Sequence, residues 1–256
     1  MMDAQRIAGL SSAGVAVEVV PETGSTNADL LARAATLDAP LLLIAEHQTA
    51  GRGRAGRSWL SAPGHSLTFS LAWRFHGGLQ GLTGLPLAVG VALAETLGRL
   101  GQPVDLKWPN DLLKDGDKLA GILVETQPAQ GGATWAIVGI GLNLAMPDEL
   151  EEKIGRPVAA VPWLARMDRD ALLAALLDGL AAALRQFAQA GFAAFSARWN
   201  LLHAYQGQAV TIVDRGEVLH EGLAAGVDDG GRLLLDTGDG RIAVVAGDVS
   251  LRVKAP

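Results

Sequence analysis

Ala136-Ile137-Val138-Gly139-Ile140-Gly141-Leu142-Asn143-Leu144 carries no charge and a single polar side chain. With Leu119-Ala120-Gly121-Ile122-Leu123-Val124-Glu125 it decides the fold, because apolar runs this short read as strands buried on both faces, central in a sheet. Residues 15–20, 41–45 and 104–107 read as further strands. Leu67, Phe69, Leu71 and Trp73 alternate with Thr68, Ser70 and Ala72, the period of a strand with one buried face. Helices are expected after Ser25 or Thr26 as N-cap, with Leu30, Leu31 and Ala34 on one side, over residues 85–100, and over residues 171–187 behind Asp168 or Asp170. Beyond Tyr205 short strands are separated by Asp214-Arg215-Gly216, Asp228-Asp229-Gly230-Gly231 and Gly238-Asp239-Gly240, which predicts a small barrel of roughly fifty residues. The expected organisation is an α+β domain, a mixed sheet with helices, over residues 1–206, and an all-β unit over residues 207–256.

The 256 residues are 49% hydrophobic and 19% charged, enough for a large core. A net charge of −6 excludes non-specific nucleic-acid binding through overall charge. The absence of cysteine excludes disulfides, thiolate metal sites and a cysteine nucleophile. The longest charge-free stretch, residues 126–147, opens on Gln127, Pro128, Gln130, Gly131 and Gly132, a turn composition unsuited to hydrocarbon. The N-terminus, with Asp3 and only Arg6, lacks a secretory pattern. A cytoplasmic protein that spans no membrane is expected.

Charge is distributed unevenly. Between His47 and Ala94 there is no Asp or Glu, while Arg52, Arg54, Arg57 and Arg74 lie inside; removing those four positive charges leaves −10 for the remainder. Such a segment suits an anionic small ligand. Three of the arginines fall in Gly51-Arg52-Gly53-Arg54-Ala55-Gly56-Arg57, where glycines let backbone close on a ligand and guanidiniums can fork onto phosphate or carboxylate, although a solvated surface loop has the same composition. The loop matches G-x-G-x-x-G, but no amphipathic helix follows directly and no acidic residue lies about twenty positions on, so a dinucleotide fold is rejected. There is no Walker A sequence.

Lys107-Trp108-Pro109-Asn110-Asp111-Leu112 ends one strand, and its Pro-Asn-Asp is turn chemistry whether or not it binds anything. Lys118 stands before the buried run 119–124, where an ammonium is costly unless an anion meets it. Gly139 and Gly141 in an apolar strand mean close backbone approach, to a ligand or to the protein itself, with Asn143 a polar group near the strand end. His47, His65, His76, His203 and His220 have no metal-ligand spacing and read as structural.

Gly24-Ser25-Thr26-Asn27, Gln48 with residues 51–57, residues 107–111, 118–125 and 139–143, in that order, resemble the catalytic domain of bacterial biotin protein ligases, strongly over residues 21–144 and more loosely in the C-terminal barrel. The resemblance implies a class II biotin/lipoyl ligase-like domain followed by an SH3-like barrel. It implies formation of biotinyl-5'-adenylate from biotin and ATP, then transfer of biotin to one lysine of a biotin carboxyl carrier protein domain. By motif, Ser25, Thr26, Asn27 and Gln48 would bond the ureido ring. Arg52, Gly53 and Arg54 would close over carboxylate and phosphate, and Lys118 would lie between them, with Gly121 giving the ligand room; Lys118 and Arg54 would be the catalytic cations. Arg57, Trp59, Lys107, Asp111 and Asn143 would serve the nucleotide side. Magnesium would arrive bound mainly through ATP phosphates, without a protein metal site. Gly24 stands where many relatives carry an acidic residue.

Lipoate or octanoate ligases share the fold and a carrier-lysine acceptor, though octanoyl transferases use a cysteine absent here. A biotin-operon repressor would need a DNA-binding domain, for which the 24 residues before Ser25, part of them strand, are too few; no DNA binding is expected. An inert biotin-binding module would not need Lys118 and three loop arginines. The sequence leaves the oligomeric state open, a homodimer included.

Overall fold

The computed structural model describes residues 1–155, 157–214, 216–247 and 249–253. Seven strands form the first sheet: β1 (Ala16–Thr23), β2 (Leu41–Gln48), β3 (Ser66–Phe75), β4 (Asp105–Lys107), β5 (Asp111–Lys114), β6 (Asp117–Pro128) and β7 (Thr134–Asn143). Their order is β1-β2-β3-β7-β6-β5-β4, with β1 parallel to β2 and every other pair antiparallel, a mixed sheet as expected. The two apolar runs are β6 and β7, side by side at its centre. Between 107 and 118, where only a turn is predicted, the chain inserts β5 and makes two successive hairpins.

Helices α1 (Ala4–Leu10), α2 (Thr26–Arg33), α3 (Leu85–Arg99), α4 (Asp148–Ile154), α5 (Pro162–Arg166), α6 (Arg169–Ala190) and α7 (Ala193–Leu201) complete this part. Ser25 caps α2 by accepting from the Ala28 N–H, and Asp168 caps α6 by accepting from Asp170 and Ala171. Helices α3 and α6 pack together and onto the face carrying Leu42, Ile44, Leu67, Phe69, Leu71, Val138 and Ile140, the principal core. The stretches Leu79–Arg99 and Arg169–Ala190 are long and apolar enough to cross a membrane, yet more than half of each is buried inside the protein, as core helices are.

The alternation in β3 misleads in one respect. Its polar positions do not face water: Thr68, Ser70 and Ala72 are as buried as their apolar neighbours. Helix α2 covers that second face, where Leu30 and Ala34 meet Leu41, Leu43, Ala72 and Ile137. The sheet therefore has an apolar face under α3 and a partly polar face under α2, and a cleft opens on the latter.

The C-terminal unit has strands β8 (Ala209–Asp214), β9 (Glu217–Val227), β10 (Leu233–Thr237), β11 (Gly240–Val244) and β12 (Ser250–Val253). They form an antiparallel sheet in the order β11-β10-β9-β8-β12, consistent with an SH3-like unit. Arg215 of the first predicted turn, Asp248 and residues 254–256 lie outside the described residues. The unit is hydrogen-bonded to the first sheet and to α7. Trp108 Nε1 donates to the Gly231 carbonyl at 3.2 Å, Ser196 Oγ to Asp229 at 2.7 Å, and Asn200 both accepts from the Val227 N–H at 2.7 Å and donates to its carbonyl at 3.1 Å.

Among the histidines, His203 is buried against Trp199, and burial pushes its imidazole pKa down, which keeps it neutral at pH 7 in line with a structural role.

Among the described residues, Asn200 is the one side chain that satisfies both backbone groups of a residue in the other unit. Replacing Asn200 with Ala leaves a donor and an acceptor without partners and is expected to cost about 1–3 kcal/mol, measured as a lower urea midpoint with circular dichroism at both wavelengths.

Candidate active site

Register across the sheet puts Thr68 and Ser70 of β3, Gly139 and Gly141 of β7, and Gly121, Leu123 and Glu125 of β6 on the face beneath α2. The glycines are there for room. A Cβ on Gly139 would collide with the Asn27 carboxamide, and one on Gly141 with the Trp59 indole. A Cβ on Gly121 would stand 3.1 Å from both Lys118 Nζ and the Trp59 ring. Of the two approaches left open by the sequence, the close one is made by the protein's own side chains at Gly139 and Gly141.

An open cleft of about 770 Å³, its mouth and adjoining solvent included, lies over this floor. At one end its polar groups are neutral, buried and linked. Gln48 Oε1 accepts from the Thr26 N–H at 2.8 Å. Thr26 Oγ1 lies 2.7 Å from Ser70 Oγ, and Ser70 donates to Asn27 Oδ1 at 2.6 Å. With Ser70 donating its one proton to Asn27, it accepts from Thr26, whose single hydroxyl proton then cannot also serve Gln48 Oε1, 3.1 Å from Thr26 Oγ1. Asn27 Nδ2 donates to the Leu123 carbonyl at 3.3 Å and to Glu125 Oε2 at 2.9 Å. Thr26, Asn27 and Ser70 are each 3% exposed or less, so their orientations are fixed before any ligand arrives.

The other end is cationic. Lys118 Nζ donates to Asp111 Oδ1 at 2.5 Å, both side chains being less than one-fifth exposed. The anion that the sequence demands for Lys118 is thus supplied from β5, across the same hairpin. Arg52 reaches Glu125 Oε1 at 3.0 Å. Arg54 donates to Asn110 Oδ1 at 3.0 Å and to the Gly247 carbonyl in the C-terminal unit. The loop itself is pinned by Gly53 N–H to the Arg57 carbonyl, 2.7 Å, and Trp59 N–H to the Gly51 carbonyl, 2.8 Å.

Ser25, Thr26, Asn27, Gln48, Arg52, Gly53, Arg54, Arg57, Trp59, Asp111, Lys118 and Gly121 all line this one cleft. Lys107 and Asn143 do not. Lys107 lies 5.9 Å from the Tyr205 ring centre, and Asn143, on the same face of β7 as Gly139 and Gly141, is buried past the end of the cleft and donates to the Lys118 carbonyl at 3.4 Å. Ser70 and Asn110 also line the cleft, and Glu125 bonds Asn27 and Arg52 at its edge; Asn110 and Glu125 lie inside the motifs without a role assigned to them there, and the signal for Ser70, the polar alternation of β3, reads equally as solvent exposure. Among the described residues no three His, Asp, Glu or Cys side chains are grouped to hold a metal ion.

Residues 16–143 match the model of the biotin/lipoate A/B protein ligase family. The chain is also 37% identical, over 98% of its length and 78% of the relative's, to the bifunctional ligase/repressor BirA of Escherichia coli. It belongs to this ligase family. Residues 205–252 match the biotin protein ligase C-terminal domain. A biotin–[acetyl-CoA-carboxylase] ligase of Mycobacterium tuberculosis is 36% identical over 95% of this chain and 92% of its own. Among solved structures, the biotin protein ligase of Aquifex aeolicus in complex with biotin and ATP superposes with a TM-score of 0.78 at 28% identity, covering 93% of this chain and 99% of that one.

For this family member the glycine floor is open to a direct check. Gly139→Ala drives a methyl into the Asn27 carboxamide, a displacement costing about 1–3 kcal/mol. The expected result is a biotin affinity roughly five- to a hundredfold lower by calorimetry, with the far-ultraviolet spectrum unchanged.

Proposed function

We infer that the chain is an ATP-dependent biotin protein ligase, forming biotinyl-5'-adenylate and passing biotin to a lysine of a biotin carboxyl carrier protein domain. The observation that carries this reading is one cleft with two chemistries: a dry, oriented, neutral hydrogen-bonding end and a cationic end. A ureido ring presents donors and an acceptor and must leave water to enter a pocket. Thr26, Asn27, Gln48 and Ser70 offer it matching groups. The dithiolane of lipoate and the alkyl chain of octanoate offer no such partners, so seating them against these polar groups strips water without a hydrogen bond in return, which selects against them. The relatives named as biotin ligases support the same choice.

At the cationic end, a biotin carboxylate oxygen attacks the α-phosphorus of ATP, the new acyl–phosphate bond forms and pyrophosphate leaves. Two unit charges 4 Å apart repel by about 4 kcal/mol at an effective dielectric near 20, so cations at the meeting point are the principal catalytic requirement. Lys118, on the floor between the two ends, holds that point, and Arg52, Arg54 and Arg57 surround it from the loop. Asp111 keeps the ammonium in place. Trp59, stacked over Gly121 and Gly141, presents an aromatic face on the nucleotide side. In the second step the neutral ε-amine of the carrier lysine attacks the acyl carbon, AMP leaves, and the amine gives up a proton. Magnesium comes with the ATP phosphates in this reading, and no step depends on a protein-held ion. Residues 1–206 then hold both substrates and residues 207–256 form the C-terminal unit; use of ATP fits a cytoplasmic enzyme.

Lys118→Ala is expected to lower adenylate formation by about a hundredfold or more, the loss typical when one preorganised donor is removed from developing charge. Biotin affinity should fall less, since the neutral end is untouched. Lys118→Arg should restore little, because a planar fork cannot take the point position of an ammonium. Pyrophosphate exchange reads the first step, single-turnover transfer from pre-made adenylate the second. Near-normal exchange in Lys118→Ala would remove Lys118 from this role.

A further inference from the structure

The neutral and cationic ends of the cleft are joined by one side chain, Glu125. It stands on β6 at the edge of the floor, 22% exposed, with each carboxylate oxygen committed to a different end: Oε2 accepts from Asn27 Nδ2 at 2.9 Å and Oε1 from Arg52 Nη2 at 3.0 Å. Asn27 is the residue whose carboxamide rests on Gly139, and Arg52 opens the arginine loop. Nothing in the reaction derived above uses Glu125.

We propose that Glu125 is a positioning residue that fixes the Asn27 carboxamide for biotin and tethers Arg52 over the cleft, so that one carboxylate sets the geometry of both ends. This rests on the ligase reading. The orientation of Asn27 is decided by two acceptors that carry no proton: the Leu123 carbonyl and the Glu125 carboxylate admit only Nδ2. A flipped carboxamide would set both against a carbonyl oxygen, whereas the Ser70 hydroxyl, which can rotate to donate to Thr26, could follow the flip. At the other end the ion pair uses one nitrogen of Arg52 and leaves the fork's remaining N–H groups for ligand oxygens. Charge also favours the arrangement, because a guanidinium poised over a cleft of like charges is held there by an anion until the ligand's own anions enter.

A carboxylate can accept at both oxygens, whereas a carboxamide accepts at one and donates at the other. Glu125→Gln is therefore the informative variant: nearly the same shape, but forced to face either Asn27 or Arg52 with the wrong polarity. In the full chain, we expect biotin to bind roughly tenfold more weakly by calorimetry, the loss of a charge-assisted hydrogen bond. At saturating biotin, pyrophosphate exchange should remain within a few-fold of the unsubstituted protein, a rise in KM rather than a fall in kcat. In the ligand-free protein, backbone amides of residues 52–57 and the Asn27 side-chain N–H groups should exchange faster, which a merely stabilising role would not single out. Unchanged biotin affinity together with unchanged exchange at those groups would overturn the proposal. If Glu125→Gln proved unfolded, Glu125→Asp, one methylene shorter and unable to span both partners, carries the same expectations. Failure of the unsubstituted chain to bind biotin would instead refute the ligase reading, and the ligand-free exchange measurements would still decide the tether.

Discussion

The site depends on a constraint of packing distance: three positions on two neighbouring strands must carry no side chain. Gly121 lies opposite Gly141 across β6 and β7, and Gly139 opposite Leu123. Side chains can therefore lie flat on the sheet, Asn27 on one glycine and Trp59 across two. Glycine inside a strand weakens it, both by backbone entropy and by lost packing. Here the weakened strands are the central pair, ten and twelve residues long, with α3 and α6 against their other face. The cost of an open floor is met by burial on the opposite side of the same strands.

A second consequence concerns charge. A protein meant to neutralise anions must hold its cations ready when no anion is bound, and a partly buried ammonium or a cluster of guanidiniums is unfavourable alone. Lys118 meets Asp111, and Arg52 meets Glu125. These pairs keep the cations aimed at the cleft and moderate their mutual repulsion. Asp111 and Lys118 lie on the two strands of one hairpin, β5–β6, so the insertion of β5 serves the chemistry directly: it sets Asp111 across from Gly121 and within reach of Lys118.

The central strands, the two long helices and the change to short strands after Tyr205 were legible in the sequence because each rests on a local period that tertiary contacts reinforce. The arginine loop and Lys118 were legible because charge out of place is conspicuous in an acidic chain. What stayed hidden depends on pairing. Whether Thr68 and Ser70 face water or a second buried layer is decided by α2, forty residues earlier, and period two cannot distinguish the cases. The partners of Gly139 and Gly141 are likewise set by Asn27 and Trp59, remote in sequence. Asn143 carried the right residue type at the right strand end, but its side chain turns to the Lys118 carbonyl instead of the cleft.

The C-terminal unit shows the same limit more sharply. Every motif that points to a ligand lies before Leu144, which by sequence alone leaves the second sheet no part in the cleft. Yet Arg54 donates to the carbonyl of Gly247, and no side chain signals that contact, because the accepting group is one every residue possesses. Its placement follows from docking: Trp108, Ser196 and Asn200 hold the turn between β9 and β10 against the first sheet, which fixes the unit's orientation and presents the segment between β11 and β12 to the arginine loop. Trp108 stands in the same Lys-Trp-Pro-Asn-Asp segment that supplies Asn110 and Asp111 to the cleft. One short hairpin thus anchors the second unit on one side and the cations Arg54 and Lys118 on the other. The C-terminal sheet thus meets the charged end of the cleft directly, through Arg54, while β3, β7 and α2 supply the neutral end.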